Sequence, residues 1–236
     1  MRIVSYNIRK SVGLDWKRKP ERILAVLEEM QPDIVVGQEV DKRLGSRQGT
    51  LPLGMLTSDL KYRFADVATR VKSHGWHGNA ILFRPGVVVT EVERIELPSL
   101  EPRGAVSVFF ETASGQKFHV VGVHLALHRI MRAKQALAIL KYLKRCPRIP
   151  TIIAGDFNEW RKLGAASRIF APTLDVITPG PSFHTSLPTA PLDRFLVTSD
   201  VQVTNTGVHR SELSNRASDH LPIYMDFDLL KAEQTT

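Results

Sequence analysis

The sequence predicts an α+β fold in four layers, with two packed, mostly antiparallel sheets flanked by helices. Two observations point there. Short β-branched runs bounded by Gly and Pro recur along the chain and outnumber the helical stretches. Helical spacing over several turns appears at about 20–31 and 128–145.

In chain order, "RIVSYNI" reads as the first strand. Pro20 opens "PERILAVLEEMQ", where Ile23, Leu24, Leu27 and Met30 recur at helical spacing, and Pro suits the first turn of a helix. Pro32-Asp33 stops that helix, and "IVVGQEV" is a second buried strand. Residues 41–60 are basic and loop-like. "GNAILFR", "GVVVTEVERIEL", "GAVSVFFET" and "KFHVVGVHL" follow as strands with Pro and Gly punctuation. The second helix should bury a face made of Ile130, Met131, Leu137, Leu140 and Leu143. A buried strand at 151–154 comes next, and "LDRFLV", "VQVTNTGV" and "LPIYMDF" supply the last strands.

No repeat, low-complexity tract or linker divides the chain, so a single domain over 1–230 with a short tail at 231–236 is expected. The single Cys146 excludes an intramolecular disulfide and fits a reducing compartment. The opening "MRIVSYNIRK" enters a strand pattern with no signal-like segment, and no apolar run approaches the roughly 20 residues of a membrane helix. The expectation is a cytoplasmic protein without membrane insertion. Lys and Arg total 32 against 24 Asp and Glu, a formal net charge of +8, which favours a polyanionic partner: nucleic acid, anionic lipid or a phosphorylated metabolite.

The strands end in an unusual way. "SYNIR" puts Asn7 near the end of the first, "VVGQEV" puts Glu39 after the second, and "VVGVHLAL" places His124. "GDFN" gives Asp156 and Asn158, which share a side if the chain stays extended. "LDRF" gives Asp193, and "SDHLPI" gives Asp219 and His220 before the last strand. Each alone is explained by a turn, a cap or a satisfied core side chain. "HLALH" spaces His124 and His128 as in a zinc helix, but without the intervening Glu or a third ligand. No G-x-S-x-G, P-loop or G-x-G-x-x-G occurs.

Taken in order, "QE", "GDFN", "LDRF" and "SDH" resemble the endonuclease/exonuclease/phosphatase superfamily of DNase I-like metal-dependent phosphohydrolases, over nearly the whole chain. The resemblance implies the four-layer sandwich and hydrolysis of phosphodiesters, most readily in nucleic acid, with an anionic phospholipid or inositol phosphate as runner-up. A catalytically inactive binding domain is the rival from another class, and Glu39, Asp156, Asp193 and His220 speak against it. A divalent cation would offset the charge of the anionic ester, and Mg²⁺, or Mn²⁺, suits oxygen ligands. Glu39, with Asp219 and the amide oxygen of Asn7, is the expected metal set. The resemblance gives Asp156 the attacking water and Asn158 the phosphate, has Asp193 orient His220, and makes His124 a second catalytic histidine. Asn79 and Arg103, the latter in "PRGAV", are the expected substrate contacts.

Two departures bear on the substrate. The glutamate that supports the second histidine in DNase I-like members is missing from "HGWHGNAILFRP", which offers His77. The "YxPN" segment of abasic-site endonucleases is replaced by "VHLAL", which argues against abasic-site repair. "PSFHTSLPTAPLDRFLV" resembles bacterial members without assigned substrates. Basic residues crowd the same strand ends: Arg9 and Lys10, Lys42 and Arg43, Arg129 and Arg132, Arg161 and Lys162, and Arg216. They are expected to form a rim that focuses a polyanion.

Overall fold

The structure, a computed structural model, describes residues 1–43, 45–99 and 103–230, so the expected tail at 231–236 lies outside the described residues. The chain runs β1 (Arg2–Asn7), α1 (Pro20–Met30), β2 (Ile34–Gln38), α2 (Leu53–Ser58), β3 (Arg63–Phe64), β4 (Ala80–Phe83) and β5 (Val87–Glu96). It continues through β6 (Gly104–Thr112), β7 (Lys117–His124), α3 (Arg129–Leu143), β8 (Thr151–Asp156), α4 (Ala165–Phe170) and β9 (Asp175–Ile177). It closes with β10 (Asp193–Val197), β11 (Val201–Val208), α5 (Ser214–Ala217) and β12 (Ile223–Leu229).

Two six-stranded sheets form, ordered β11-β12-β1-β2-β4-β3 and β5-β6-β7-β8-β10-β9. Both are mixed: β1 with β2 and β7 with β8 are the parallel pairs, and every other pairing is antiparallel. Each parallel pair needs a crossover, and the two long helices supply it, giving the units β1-α1-β2 and β7-α3-β8. The apolar core divides accordingly. Ile3, Val36, Val106, Val120, Ile152, Phe195 and Met225 fill the space between the sheets. Val4, Val35, Ile23 and Leu27 pack α1 on one outer face, and Val121, Ile153, Ala136 and Ile139 pack α3 on the other. These are the four layers the sequence predicts. The sheets approach closely at their centre, where a Cβ on Gly122 would lie 2.9 Å from the Val36 side chain.

Helix α1 matches its sequence, with Pro20 in the first turn, Ile23, Leu24, Leu27 and Met30 buried, and Gln31 in a left-handed cap. The expected face of α3 is corrected in part: Leu140 and Leu143 do pack against the core. Ile130 and Leu137 are exposed, at 62% and 57%, while Gln135, Ala136 and Ile139 are buried. The cause is Gln135, whose amide accepts from Ala126 N–H at 2.8 Å and donates to Pro98 O at 3.1 Å. Those bonds turn a polar residue inward, and the small Ala136 lets the helix sit close to the sheet. The basic loop at 41–60 also holds α2, and the short β3, β9, α4 and α5 have no counterpart in the sequence reading. Their lengths, two to six residues, are too short for a periodic signal. Among the described residues no helix is long and apolar enough to cross a membrane.

One buried side chain ties the fold to pH. His119 in β7 is fully buried, stacked on Phe109 and within 2.7 Å of Ser107 Oγ. Burial lowers its pKa to about 4, so it is neutral in the fold. The unfolded chain takes up this proton at a higher pH than the fold does. The contribution of His119 is therefore complete above about pH 6.5 and is lost as pH falls towards 4, by an amount on the order of 3 kcal/mol. Urea unfolding at pH 7 and pH 5 should show this loss, and His119→Gln should flatten it. An equal pH slope in the variant would assign the acid sensitivity elsewhere.

Candidate active site

Strand period and register assemble the site. On β1 the side of Ile3 that faces the other sheet continues to Ser5 and Asn7, and on β7 that of Val120 continues to His124. On β8 it runs from Ile152 through Ala154 to Asp156, and on β10 back from Phe195 to Asp193. Register then lines these ends up, with Asn7 opposite Gln38, His124 opposite Asp156, and Asp156 opposite Asp193. The intersheet core thus turns polar at one end. A cavity of about 340 Å³ opens there, lined among others by Asn7, Glu39, Asp156, Asn158, Asp219 and His220. Both parallel pairs point their C-terminal ends at it, the place where α/β sheets bind ligands.

Asn7 joins the two sheets: its Nδ2 donates to Asp156 Oδ2 at 3.1 Å. Its oxygen, expected as a metal ligand, also accepts from Arg9 N–H at 3.1 Å. Asp156 is buried and its other oxygen accepts from Asn158 N–H at 2.9 Å. Burial and the nearby Asp193 push its pKa up, with His220 and these hydrogen bonds opposing. Gly155 is required at this point, because a Cβ there would lie 1.9 Å from Val123 O. Asn158 is not extended as the sequence reading assumed. Its φ is 52°, and its Nδ2 donates to Leu125 O at 2.9 Å. It still lines the cavity, through a left-handed turn and not through strand alternation.

The two histidines are buried alike but charged differently. His220 Nδ1 is 2.8 Å from Asp193 Oδ2, which also accepts from Ser182 Oγ at 2.5 Å. The far nitrogen of His220 is 3.7 Å from Asp156 Oδ2. Burial lowers its pKa, but Asp193 and Asp156 outweigh that and raise it to about 9, so His220 is an imidazolium at neutral pH. His124 Nε2 contacts Arg103, a group with donors only, so this nitrogen accepts and carries no proton. Burial first, and then Arg103, push its pKa well below the usual histidine range. His124 is therefore braced by a guanidinium and not by a carboxylate, and its 3.4 Å approach to Asp156 is no ion pair.

Glu39 and Asp219 carry the remaining acid. Glu39, with φ 54°, meets Lys10 Nζ and lies 3.3 Å from Arg43. Asp219 lies 3.3 Å from Arg9, whose guanidinium also covers the Trp16 ring. The basic rim is thus partly neutralised at Arg9, Lys10 and Arg43. Arg103 is buried at 8% exposure and lines the cavity, so it is not a solvated surface residue. Asn79 was expected as a substrate contact. It is fully buried, donates to Gly104 O at 3.0 Å beside Arg103, and has its own Oδ1 without a hydrogen-bond partner among the described residues.

Sequence reasoning missed the clamp under the "GDFNEW" loop. Arg194 is fully buried in β10 and donates to the carbonyls of Glu159, Arg161 and Lys162 and to Ser167 Oγ. Glu159 is equally buried, and its carboxylate accepts from Ala166 and Ser167 N–H at 2.7 and 3.2 Å. The signal was present: an Arg inside an apolar strand needs an acid and several acceptors. The clamp fixes the loop that carries Asn158 and Trp160 into the mouth.

A mouth with three carboxylates, a charged histidine and a buried guanidinium is built to handle an anionic ester, and the protein is a phosphoric ester hydrolase. The chain belongs to the Endonuclease/Exonuclease/phosphatase family, whose profile matches residues 4–220. Members of this family generally depend on a divalent metal. It is 28% identical over 174 residues to the uncharacterized protein YbhP of Escherichia coli K12, covering 70% of this chain and 68% of YbhP. D. rerio TDP2, solved with a single strand DNA product, superposes with a TM-score of 0.74 at 19% identity over 97% of this chain and 98% of its own. The mannosyl-6-phosphatase of Bacteroides thetaiotaomicron superposes at 0.73 with 20% identity over 97% of this chain and all of its own. At these identities the likeness is one of fold.

The Asp193–His220 contact predicts a coupled loss. Asp193→Asn should keep the fold, lower turnover by about 10²-fold or more, and shift the basic limb of the pH profile to lower pH. The basic limb moves because the carboxylate that holds the His220 proton is gone. The double variant Asp193→Asn/His220→Ala should be scarcely slower than the worse single one. Multiplying losses would show that the two residues act independently.

Proposed function

We propose that this protein is a Mg²⁺-dependent phosphodiesterase acting on nucleic acid. The observation that carries this reading is the meeting of Glu39, Asp156, Asp219 and His220 in one cavity that Lys10, Arg9, Arg43 and Arg103 also line. The acids still need a cation at the phosphate itself, because a carboxylate facing the ester oxygens would repel them while the side-chain cations sit at the wall. Glu39 and Asp219 each attract a side-chain cation, Lys10 and Arg9, as a pair of carboxylates placed to hold positive charge does. Their oxygen donors fit a hard cation, with the shared Asn7 oxygen beside them. Asp156, Asp193 and His220 also cluster, but His220 spends its Nδ1 on Asp193 and, protonated, has no lone pair to give.

When bound, the metal would offset charge on the phosphate and its leaving oxygen. The chain's own residues do the rest. Asp156, its pKa raised, accepts the proton of the attacking water, while Asn158 and Asn7 fix its orientation. His220, held protonated by Asp193, donates to the developing oxyanion, and Arg103, braced by His124, adds fixed positive charge. Nucleic acid fits the cationic wall of the mouth, and the likeness to a DNA-bound neighbour supports it. The exposed Leu127 and Trp160 at the same mouth favour one other reading, an anionic phospholipid. The lone Cys146 supports work in a reducing, cytoplasmic setting by one domain spanning 1–230.

The test is a Mg²⁺ titration of turnover on single-stranded DNA, RNA and phosphatidylglycerol vesicles. Turnover should vanish in EDTA, and Glu39→Gln should raise the Mg²⁺ needed for half-activity by about tenfold. Full turnover in EDTA would remove the metal, and preference for the vesicles would replace nucleic acid by lipid.

A further inference from the structure

Next to the mouth lies a second cavity of about 220 Å³, which shares Lys10, Glu39, Arg43, Arg103 and His124 with it. Its outer wall is Lys42, Arg47 and His77, with Asp41 as its other acid. Both acids are already engaged. Asp41 accepts from Ser73 Oγ and from His74 N–H at 2.8 Å, and Glu39 faces Lys10 and Arg43. Lys42 reaches only the neutral Gln48 Oε1, at 3.3 Å, and Arg47 reaches His77 Nδ1 at 3.3 Å. Among the described residues neither cation has a carboxylate partner.

The wall is also built at a cost. Arg47 and His77 have φ values of 48° and 50°, in the left-handed region that side-chain-bearing residues avoid. His77 is held there by its edge-to-face contact with Trp76, ring centroids 4.3 Å apart. Because Arg47 can only donate, His77 Nδ1 accepts, which leaves the proton of the neutral ring on Nε2 as a donor. Two unpaired cations and a ring N–H, set beside a reaction centre for anionic esters, match the acceptor oxygens of a phosphate.

We infer that this cavity is a second phosphate subsite, in which Lys42, Arg47 and His77 hold a phosphate of the substrate other than the one cleaved. The inference rests on the phosphodiesterase reading and narrows it to esters that carry a neighbouring phosphate. Such a group comes from the next unit of a nucleotide chain or from a ring phosphate of an inositol. The nucleotide chain is favoured, because a third cavity shares Arg47 and His77 and continues outward past Arg70 and Trp76. A polymer uses such a track and a compact substrate does not.

Two measurements test it. In EDTA, inorganic phosphate is titrated into the full chain while the His77 ring protons are followed by NMR, assigned through His77→Gln. The signals should shift, and Lys42→Gln/Arg47→Gln should weaken the midpoint by about tenfold. Both side chains lie in a surface loop, and Arg47→Gln alone carries the test if the double variant melts early. An unchanged midpoint, or shifts confined to a general salt response, overturns the subsite. With Mg²⁺ present, kcat/KM is compared for a dinucleoside monophosphate and the same compound with a terminal phosphate. A matching inositol phosphodiester pair, with and without a ring phosphate, is run beside it. The phosphate-bearing member should be preferred by about tenfold, through KM. The double variant should lose that preference and keep its rate on the simpler member. The pair that shows the preference identifies the source of the phosphate. If neither nucleotide is cleaved while the titration still weakens, the nucleic acid reading falls and the subsite stands. If nucleotides are cleaved and the preference survives the variant, the subsite falls alone.

Discussion

The face that packs the two sheets together is also the face that holds the site. Ile3, Val36, Val120, Ile152 and Phe195 form an apolar interior, and the next residues along the same strand faces are Asn7, Gln38, His124, Asp156 and Asp193. Ser5 and Gln38, hydrogen-bonded at 3.2 Å, mark where the interior changes character. Beyond them the Asn7–Asp156 hydrogen bond crosses from one sheet to the other. A one-residue slip in the pairing register of any of these strands would send its polar end to the helix-covered side, where it would meet no partner. The packing of the core therefore sets the geometry of the mouth, and no separate device is needed to bring residues 149 positions apart into contact.

Within that frame, burial favours the neutral form of both histidines, and the partner decides whether that preference stands. His124 and His220 lie in the same cavity and are equally withdrawn from water. Burial, reinforced by Arg103, keeps one neutral, and Asp193 beside the other overrides burial and keeps it protonated. The result is a proton donor and a neutral acceptor from the same residue type, a few ångströms on either side of Asp156.

How much of this was legible follows from the same period. Asn7, His124, Asp156 and Asp193 could be read because they sit at the ends of alternating or fully apolar strands, where an isolated polar residue stands out. The long helix α1 was legible from its Leu and Ile spacing. Helix α3 was misread because Gln135 and Ala136 form its buried face, and neither looks apolar enough to mark one. Arg194 was missed for the opposite reason. An Arg inside an apolar strand signals that it needs partners. Those partners are mainly the carbonyls of Glu159, Arg161 and Lys162, and backbone acceptors cannot be located from side-chain composition.

The positions where strand logic fails have a shared backbone signature. Arg9, Lys10, Glu39, His77 and Asn158 all take left-handed φ values, and all line the mouth or its neighbour. Each costs about 1–2 kcal/mol relative to ordinary backbone, a sum no surface loop would hold without support. The support is local and specific. Lys10 N–H binds Glu39 O, Ile8 N–H binds Gln38 O, Val40 N–H binds Gly78 O, and Asn158 is held from both Asp156 and Leu125. These turns swing side chains off the last residue of a strand into the cavity, where alternation alone would have sent every second one away. The rigid sheets thus supply half of the site by register, and the other half comes from turns the sheets are stable enough to keep strained.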